Sequence, residues 1–199
     1  MTDPLVWLIA LPLAGAVMTL LLPRQGNAIA NLSAVATAVF AGVLVHAVSG
    51  QGAQDYAIGG WQAGLGIALR TDGLSALLLL MTALVMLAAT TYAGAYFKTA
   101  AQRRHFWPLW LLLWTSLNAL LLAGDLFNLY VTLELLGLSA VALACLGGKT
   151  AAIRAALRYL LVGLLGSMMF LAGVALIYAG YGTLDMAALT DAVVPGPVA

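Results

Sequence analysis

The strongest constraint on this chain is the length of its apolar runs. Six of them lie at about 4–22, 28–49, 73–97, 106–123, 126–147 and 159–180, nearly free of charge. A helix needs roughly 20 apolar residues to span about 30 Å of hydrocarbon. Lipid offers no hydrogen bonds, so a spanning backbone must pair within a helix or around a closed barrel. These runs do not alternate in polarity, which favours helices. The expected fold is an all-α polytopic membrane protein with about six transmembrane helices. Composition agrees: 64% of residues are hydrophobic and 8% charged, against about 25% charged in a soluble domain.

The charges suggest an orientation. Arg24, Lys98, Arg103, Arg104, Lys149, Arg154 and Arg158 fall in connections on one side of the membrane, and only Arg70 on the other. Basic loops stay in the cytoplasm, so both termini are expected on the non-cytoplasmic side. Asp3, Asp55, Asp72, Asp125, Asp185 and Asp191 all map to that outer side. The chain starts MTDPLVWL, with an acid and no base before its first apolar run. A cleaved signal peptide starts positive, so this run reads as a retained helix. The expected setting is multi-pass, in a bacterial-type inner membrane.

Smaller features fill in the plan. Residues 49–73 are glycine-rich and contain the alternating Leu65, Ile67 and Leu69, which predicts an external hairpin near 50–72. Trp61 is a candidate interfacial anchor, and Trp107, Trp110 and Trp114 read as an interfacial belt. Ala30, Ala34, Ala38 and Gly42, continued by His46, form a four-residue row on helix two. Gly163, Gly166, Ser167 and Gly173 mark helix six. Small residues let helices approach closely. A net charge of +1 gives no sign of nucleic-acid binding, and the single Cys145 excludes an internal disulfide. Cys145 reads as a small buried apolar side chain. No metal-ligand spacing, phosphate loop or nucleophile arrangement occurs, and no cofactor is expected.

One residue breaks the pattern. Glu134, the only glutamate in the chain, stands in the middle of the fifth run, GDLFNLYVTLELLGLS. Nine residues beyond Asp125, at 1.5 Å each, it lies about 13 Å into the helix, close to the hydrocarbon midplane at about 15 Å. A charge there is costly, and such residues face a bundle interior or wet cavity and mark ion paths. A dry, unpaired carboxyl keeps its proton, whereas a cation within about 4–6 Å restores the charge. A group that toggles in this way can carry protons. The plainer alternative is a neutral carboxyl bonded to a neighbouring helix, a role glutamine would fill without titrating. Tyr130 lies one turn earlier on the same face. Ser116, Asn118 and Thr132 are further candidate relay neighbours, and Thr115 and Asn128 add polar groups to helices four and five. Each can bond a carboxyl or hold water, and each can equally satisfy a local backbone carbonyl. Lys149, Arg154 and Arg158 read as solvated or snorkelling side chains.

Residues 124–188 carry a D-x-F-N-x-x-V-x-x-E pattern ending at Glu134, an LGG-K turn, a basic RYLL helix start and Y-x-G-T-L after that helix. This stretch, with the upstream GGWQAGLGIALRTDGLSALLLL, resembles the D-type membrane protein of Mrp cation/proton antiporters. That protein is homologous to the antiporter-like membrane subunits of respiratory complex I and of membrane-bound hydrogenases. The resemblance implies that Glu134 matches a helix-five glutamate that pairs with a lysine on a later helix, within a proton or ion path. It also implies about fourteen helices with two inverted five-helix repeats, the first starting at helix four. Residues 1–105 then hold three peripheral helices with the hairpin, and 106–199 hold the first three helices of an incomplete repeat. The family's helix-seven lysine has no counterpart, since Lys98 and Lys149 are the only lysines. The chain is accordingly expected to be a fragment, a split subunit, or one completed by a neighbouring subunit.

The reading that follows is an ion-translocating subunit of a multisubunit antiporter or respiratory complex, carrying protons or sodium through Glu134. Its expected partners are other membrane subunits, one of them supplying the later helices, and the lipid bilayer. It has no redox or hydrolytic centre of its own. The alternative is a non-conducting assembly subunit. A haem enzyme is poorly supported, because His46 and His105 fall on opposite sides of the membrane, while quinone binding has no reliable short motif by which to exclude it.

Overall fold

A computed structural model describes residues 4–58, 66–97 and 99–192. Asp3, Trp61, Leu65, Lys98 and residues 193–199 lie outside the described residues. The elements run α1 (Pro4–Leu21), α2 (Gly26–Gln51), β1 (Gln54–Ala57), β2 (Ala68–Thr71), α3 (Gly73–Tyr96), α4 (Ala100–Leu121), α5 (Leu126–Ala144), α6 (Thr150–Tyr181) and α7 (Met186–Ala192). Among the described residues, α1, α2, α3, α5 and α6 are long and apolar enough to cross a membrane. The protein is thus an all-helical polytopic membrane protein, as the apolar runs require.

Helix α4 has 22 residues but is less apolar than the others. Its position explains why. Trp107, Leu111, Trp114, Thr115, Ser116 and Asn118 are all buried, and α4 packs on α1, α2, α3 and α5. A helix enclosed by protein does not need a greasy surface. Its start, and that of α6, fall several residues before the apolar runs. Arg103 and Arg104 in α4 and Arg154 and Arg158 in α6 precede the apolar runs, and arginine lowers hydropathy while favouring helix.

The tryptophans correct the expected belt. Positions 107, 111, 114 and 118 recur at helical spacing and form one inward face of α4. The Trp107 ring lies against the backbone of Gly26, and Trp107 and Trp114 are fully enclosed. Trp110 donates its indole N–H to Thr90 Oγ1 on α3 at 2.9 Å. The small-residue row of α2 also changes course. Four-residue steps advance 400° on a 3.6-residue helix, so the row drifts 40° at each step. Ala30 and Ala34 are buried, but the seam then continues through Thr37, Ala41, Leu44 and Val48. Gly42 meets nothing within 4 Å, and His46 is exposed.

One hydrogen bond ties α4 to α1. Pro12 lies inside α1 and has no N–H to give the carbonyl of Leu8, four residues earlier. Asn118 Nδ2 donates to that carbonyl instead, at 2.7 Å. Three residues farther along α1, a Cβ on Gly15 would collide with the Ser33 side chain, so α1 and α2 meet closely there.

The connections at one end of the bundle are stitched together. β1 pairs antiparallel with β2, placing Asp55 opposite Arg70, whose side chains approach to 3.6 Å. The amide of Arg70 donates to Leu122 O, and that of Gly124 to Ala68 O. Asp125 bridges in turn to Asp185. Asp72 caps α3 through a capping box with Ser75. The Ser75 backbone N–H and hydroxyl hold the Asp72 carboxyl below its ordinary range. The cap's stabilisation is therefore present above the unfolded carboxylate range and is lost as pH falls through the lowered value. Asp55, Asp72, Asp125 and Asp185 gather at this acidic end. Arg24, Arg103, Lys149, Arg154 and Arg158 belong to turns and helix starts at the other, basic end.

Asn118→Leu leaves the Leu8 carbonyl without a donor and is expected to destabilise the detergent-solubilised protein by about 1–3 kcal/mol. Adding Pro12→Ala restores an amide donor, so the loss should shrink in the double variant, as thermal unfolding of the four-member cycle would show. Gly15→Ala should lower the unfolding midpoint in the same assay. Gly42→Ala, with open space around it, should not lower it.

Candidate functional site: the α5–α6 cavity around Glu134

The start of α5 is fixed from several directions. Asp125 is its N-cap: Oδ1 accepts from the Asn128 amide at 2.6 Å, and Oδ2 accepts from the Ala68 amide of β2 at 3.2 Å. The Leu126 amide donates to Leu184 O, beyond α6. From this anchor the helix carries Glu134 eight residues, about 12 Å, along its axis past Leu126.

Residues 145–149 turn the chain and make α6 an antiparallel neighbour of α5. Between the two helices lies an open cavity of about 300 Å³, lined by Tyr130, Glu134 and Gly137 from α5 and by Tyr159, Gly163, Ser167 and Phe170 from α6, among others. Glycine makes this space. A Cβ at Gly137, Gly163 or Gly166 would meet nothing within 4 Å. The glycines of α6 therefore frame a cavity and do not seat a neighbouring helix of this chain. Glu134 is half-buried, and among the described residues no hydrogen bond or ion pair reaches its carboxylate. The lining contains no lysine or arginine. Such a site offers one carboxyl, two phenol hydroxyls and a serine hydroxyl within otherwise apolar walls.

The sequence-derived neighbours divide. Tyr130 shares the cavity with Glu134, and its ring stacks on Phe170 at 6.3 Å. Thr132 bonds the carbonyls of Asn128 and Leu129 at 2.9 and 3.0 Å, within its own helix. Ser116 does the same with Leu112 and Leu113, and Thr115 with Leu111. Asn118 serves the α1 carbonyl described above. None of these four lines the cavity. Lys149, Arg154 and Arg158 are exposed. Tyr159, Ser167 and Phe170 were not singled out as partners of Glu134. The α5–α6 register is set by the Tyr130–Phe170 stack, which places Glu134 opposite residues near 166.

Comparison with known proteins shows the family. The family described as NADH:quinone oxidoreductase/Mrp antiporter, TM, matches residues 123–197. The D-type protein of the Na(+)/H(+) antiporter of Bacillus subtilis is 33% identical over 185 residues, which are 92% of this chain and 38% of that protein. The N-type protein of the NADH-quinone oxidoreductase of Desulforudis audaxviator is 41% identical over 136 residues, 67% of this chain and 27% of that one. In the solved Mrp complex from Dietzia sp. DQ12-45-1b, one chain superimposes with a TM-score of 0.85 at 30% identity, over 95% of this chain and 37% of its own length. The chain thus spans less than two fifths of these relatives. By sequence and by fold it belongs to the antiporter-like membrane subunits shared by Mrp antiporters and NADH:quinone oxidoreductases.

Proposed function

We propose that this chain is an ion-translocating subunit of a multisubunit cation/proton antiporter or related respiratory complex, with Glu134 as its intramembrane proton relay. The observation that carries this reading is the placement of the only glutamate on a cavity inside a membrane protein of this family. The cavity is open on one side and holds no cation of its own, which suits a carboxylate whose partner arrives from another helix. That helix comes from further polypeptide or from a neighbouring subunit. Its cation and the Glu134 carboxyl then form the pair through which the proton moves. The carried ion is the proton. The basic end faces the cytoplasm of a bacterial-type cell, which places both termini outside.

Glu134→Gln keeps the shape of the side chain and removes its titration. In membrane vesicles holding the assembled complex, it should lower ion-coupled proton transport by at least about tenfold, with all subunits still co-purifying. Transport at the normal rate would mark the chain as an assembly subunit. Gly163→Leu projects a side chain into the cavity and should also slow transport without lowering the unfolding midpoint. Gly163→Ala leaves most of the space open and should transport nearly as well as the unaltered protein.

A further inference from the structure

At the basic end the start of α2, the end of α3 and the start of α4 converge. A Cβ on Gly94 of α3 would collide with the Asn27 side chain of α2, and one on Gly26 with the Trp107 ring of α4. Beside this junction aromatic rings run in a row, Tyr92 to Tyr96 at 5.8 Å, Tyr96 to Phe97 at 5.1 Å and Phe97 to Phe106 at 4.4 Å. The row is fixed at its inner end, where Phe106 is buried, and bare at its outer end, where Tyr92 is 68% and Tyr96 63% exposed. Arg103 Nε donates to the Phe97 carbonyl at 2.5 Å, which seats that guanidinium beside the rings. Arg104, the next residue, is exposed. Among the described residues no carboxylate pairs with either arginine. Toward the acidic end, the tyrosine face of α3 continues through Val85, Met81, Leu77 and Leu74, all exposed. From Leu74 to Tyr96 this stripe is about 33 Å long, close to the thickness of the hydrocarbon.

We propose that the α3–α4 corner is a binding site for an anionic phospholipid. Arg103 and Arg104 hold its phosphodiester, Tyr92 and Tyr96 lie against the glycerol region, and an acyl chain follows the α3 stripe. Each part of the surface fits one part of that molecule. A guanidinium binds phosphate oxygens through paired N–H groups, and the bond from Nε to Phe97 orients Arg103 while leaving both Nη groups to donate. Tyrosine rings, apolar with a polar tip, suit the boundary between headgroups and hydrocarbon. Basic side chains beside such a boundary favour anionic over neutral headgroups. The stripe also argues against a protein helix as occupant. Helices in membranes meet through small residues, whereas this face projects leucine, methionine, valine and tyrosine. A free anion would use the arginines and leave the tyrosines and stripe without a role. The surface shares no residue with the Glu134 cavity, so the proposal is independent of the relay reading.

Photocapture tests the site directly. The assembled complex is placed in nanodiscs of equal parts phosphatidylcholine and phosphatidylglycerol, with p-benzoylphenylalanine at position 92 of this chain. After irradiation, mass spectrometry of the chain identifies what was captured. Phosphatidylglycerol adducts should exceed phosphatidylcholine adducts by at least about fivefold, the gain expected from one arginine close to an anionic headgroup. The same probe at position 74, at the acidic end of the stripe, should capture the two lipids equally. Arg104 is exposed, so Arg104→Gln removes its charge without disturbing packing and should lower the preference at position 92. Adding Arg103→Gln should abolish that preference while capture at position 74 persists. Arg154→Gln, at the basic end of the bundle but on α6, should leave it unchanged. Equal capture of the two lipids at position 92, an equally strong preference at position 74, a preference that survives both arginine substitutions, or adducts with another polypeptide in place of lipid would each overturn the proposal.

Discussion

Everything in this fold answers to one constraint: a backbone in hydrocarbon must find its hydrogen-bond partners inside the protein. Helices meet that demand along their length, and the exceptions show where the structure had to be built around it. Pro12 removes a donor within α1, and the Leu8 carbonyl it strands is met by Asn118 from α4, 110 residues away. The amide nitrogen of a polar side chain deep in the bundle is thereby used to hold α1, while its Oδ1 has no partner among the described residues. At the acidic end, where helices stop and carbonyls and amides would be left bare, extended segments at 68–71, 122–125 and 184–186 bond one another. The same stitching fixes the start of α5.

Long apolar runs were legible in the sequence because a membrane span is a property of composition and length. Helix starts were not, where arginines precede the apolar run: those near 103 and 154 hide helical residues from hydropathy. Direction within a helix was also hidden. A row at four-residue spacing looks like a face over two steps and leaves it over four, as Gly42 and His46 do. Tryptophans suit a membrane interface equally well as a protein interior, and only the neighbours of α4 decide between them. The seven-residue α7, capped by the Asp185 carboxylate at the Ala188 amide, is too short to produce a hydropathy signal.

The site was half legible. A lone glutamate in an apolar run draws attention by its cost, and Tyr130 follows from helical spacing. The cavity itself depends on three residues that add nothing, Gly137, Gly163 and Gly166, and on a pairing between α5 and α6 that composition does not specify. Hydroxyl-bearing side chains nearby proved ambiguous for a physical reason. In a helix, a serine or threonine has a carbonyl within reach one turn back, and Thr115, Ser116 and Thr132 all use it. A tyrosine hydroxyl is held too far from its own backbone to do so, which is why Tyr130 and Tyr159 remain free to face the cavity.

The division of burial across the bundle bears on what the chain can do. Helices α1 to α4 enclose the apolar core, with residues such as Leu8, Ala34, Leu79, Leu111 and Trp114 almost fully buried. Helix α6, by contrast, buries only Ala156 and Val174 among its 32 residues. In water such a surface would drive aggregation; in a bilayer lipid or another helix covers it without penalty. A rigid block therefore holds α5 by its start and one side, while the Glu134 side, with α6, remains open to whatever packs there. The carboxyl placed at that boundary is positioned by the packed part of the fold and lies on the side of α5 that this bundle leaves open.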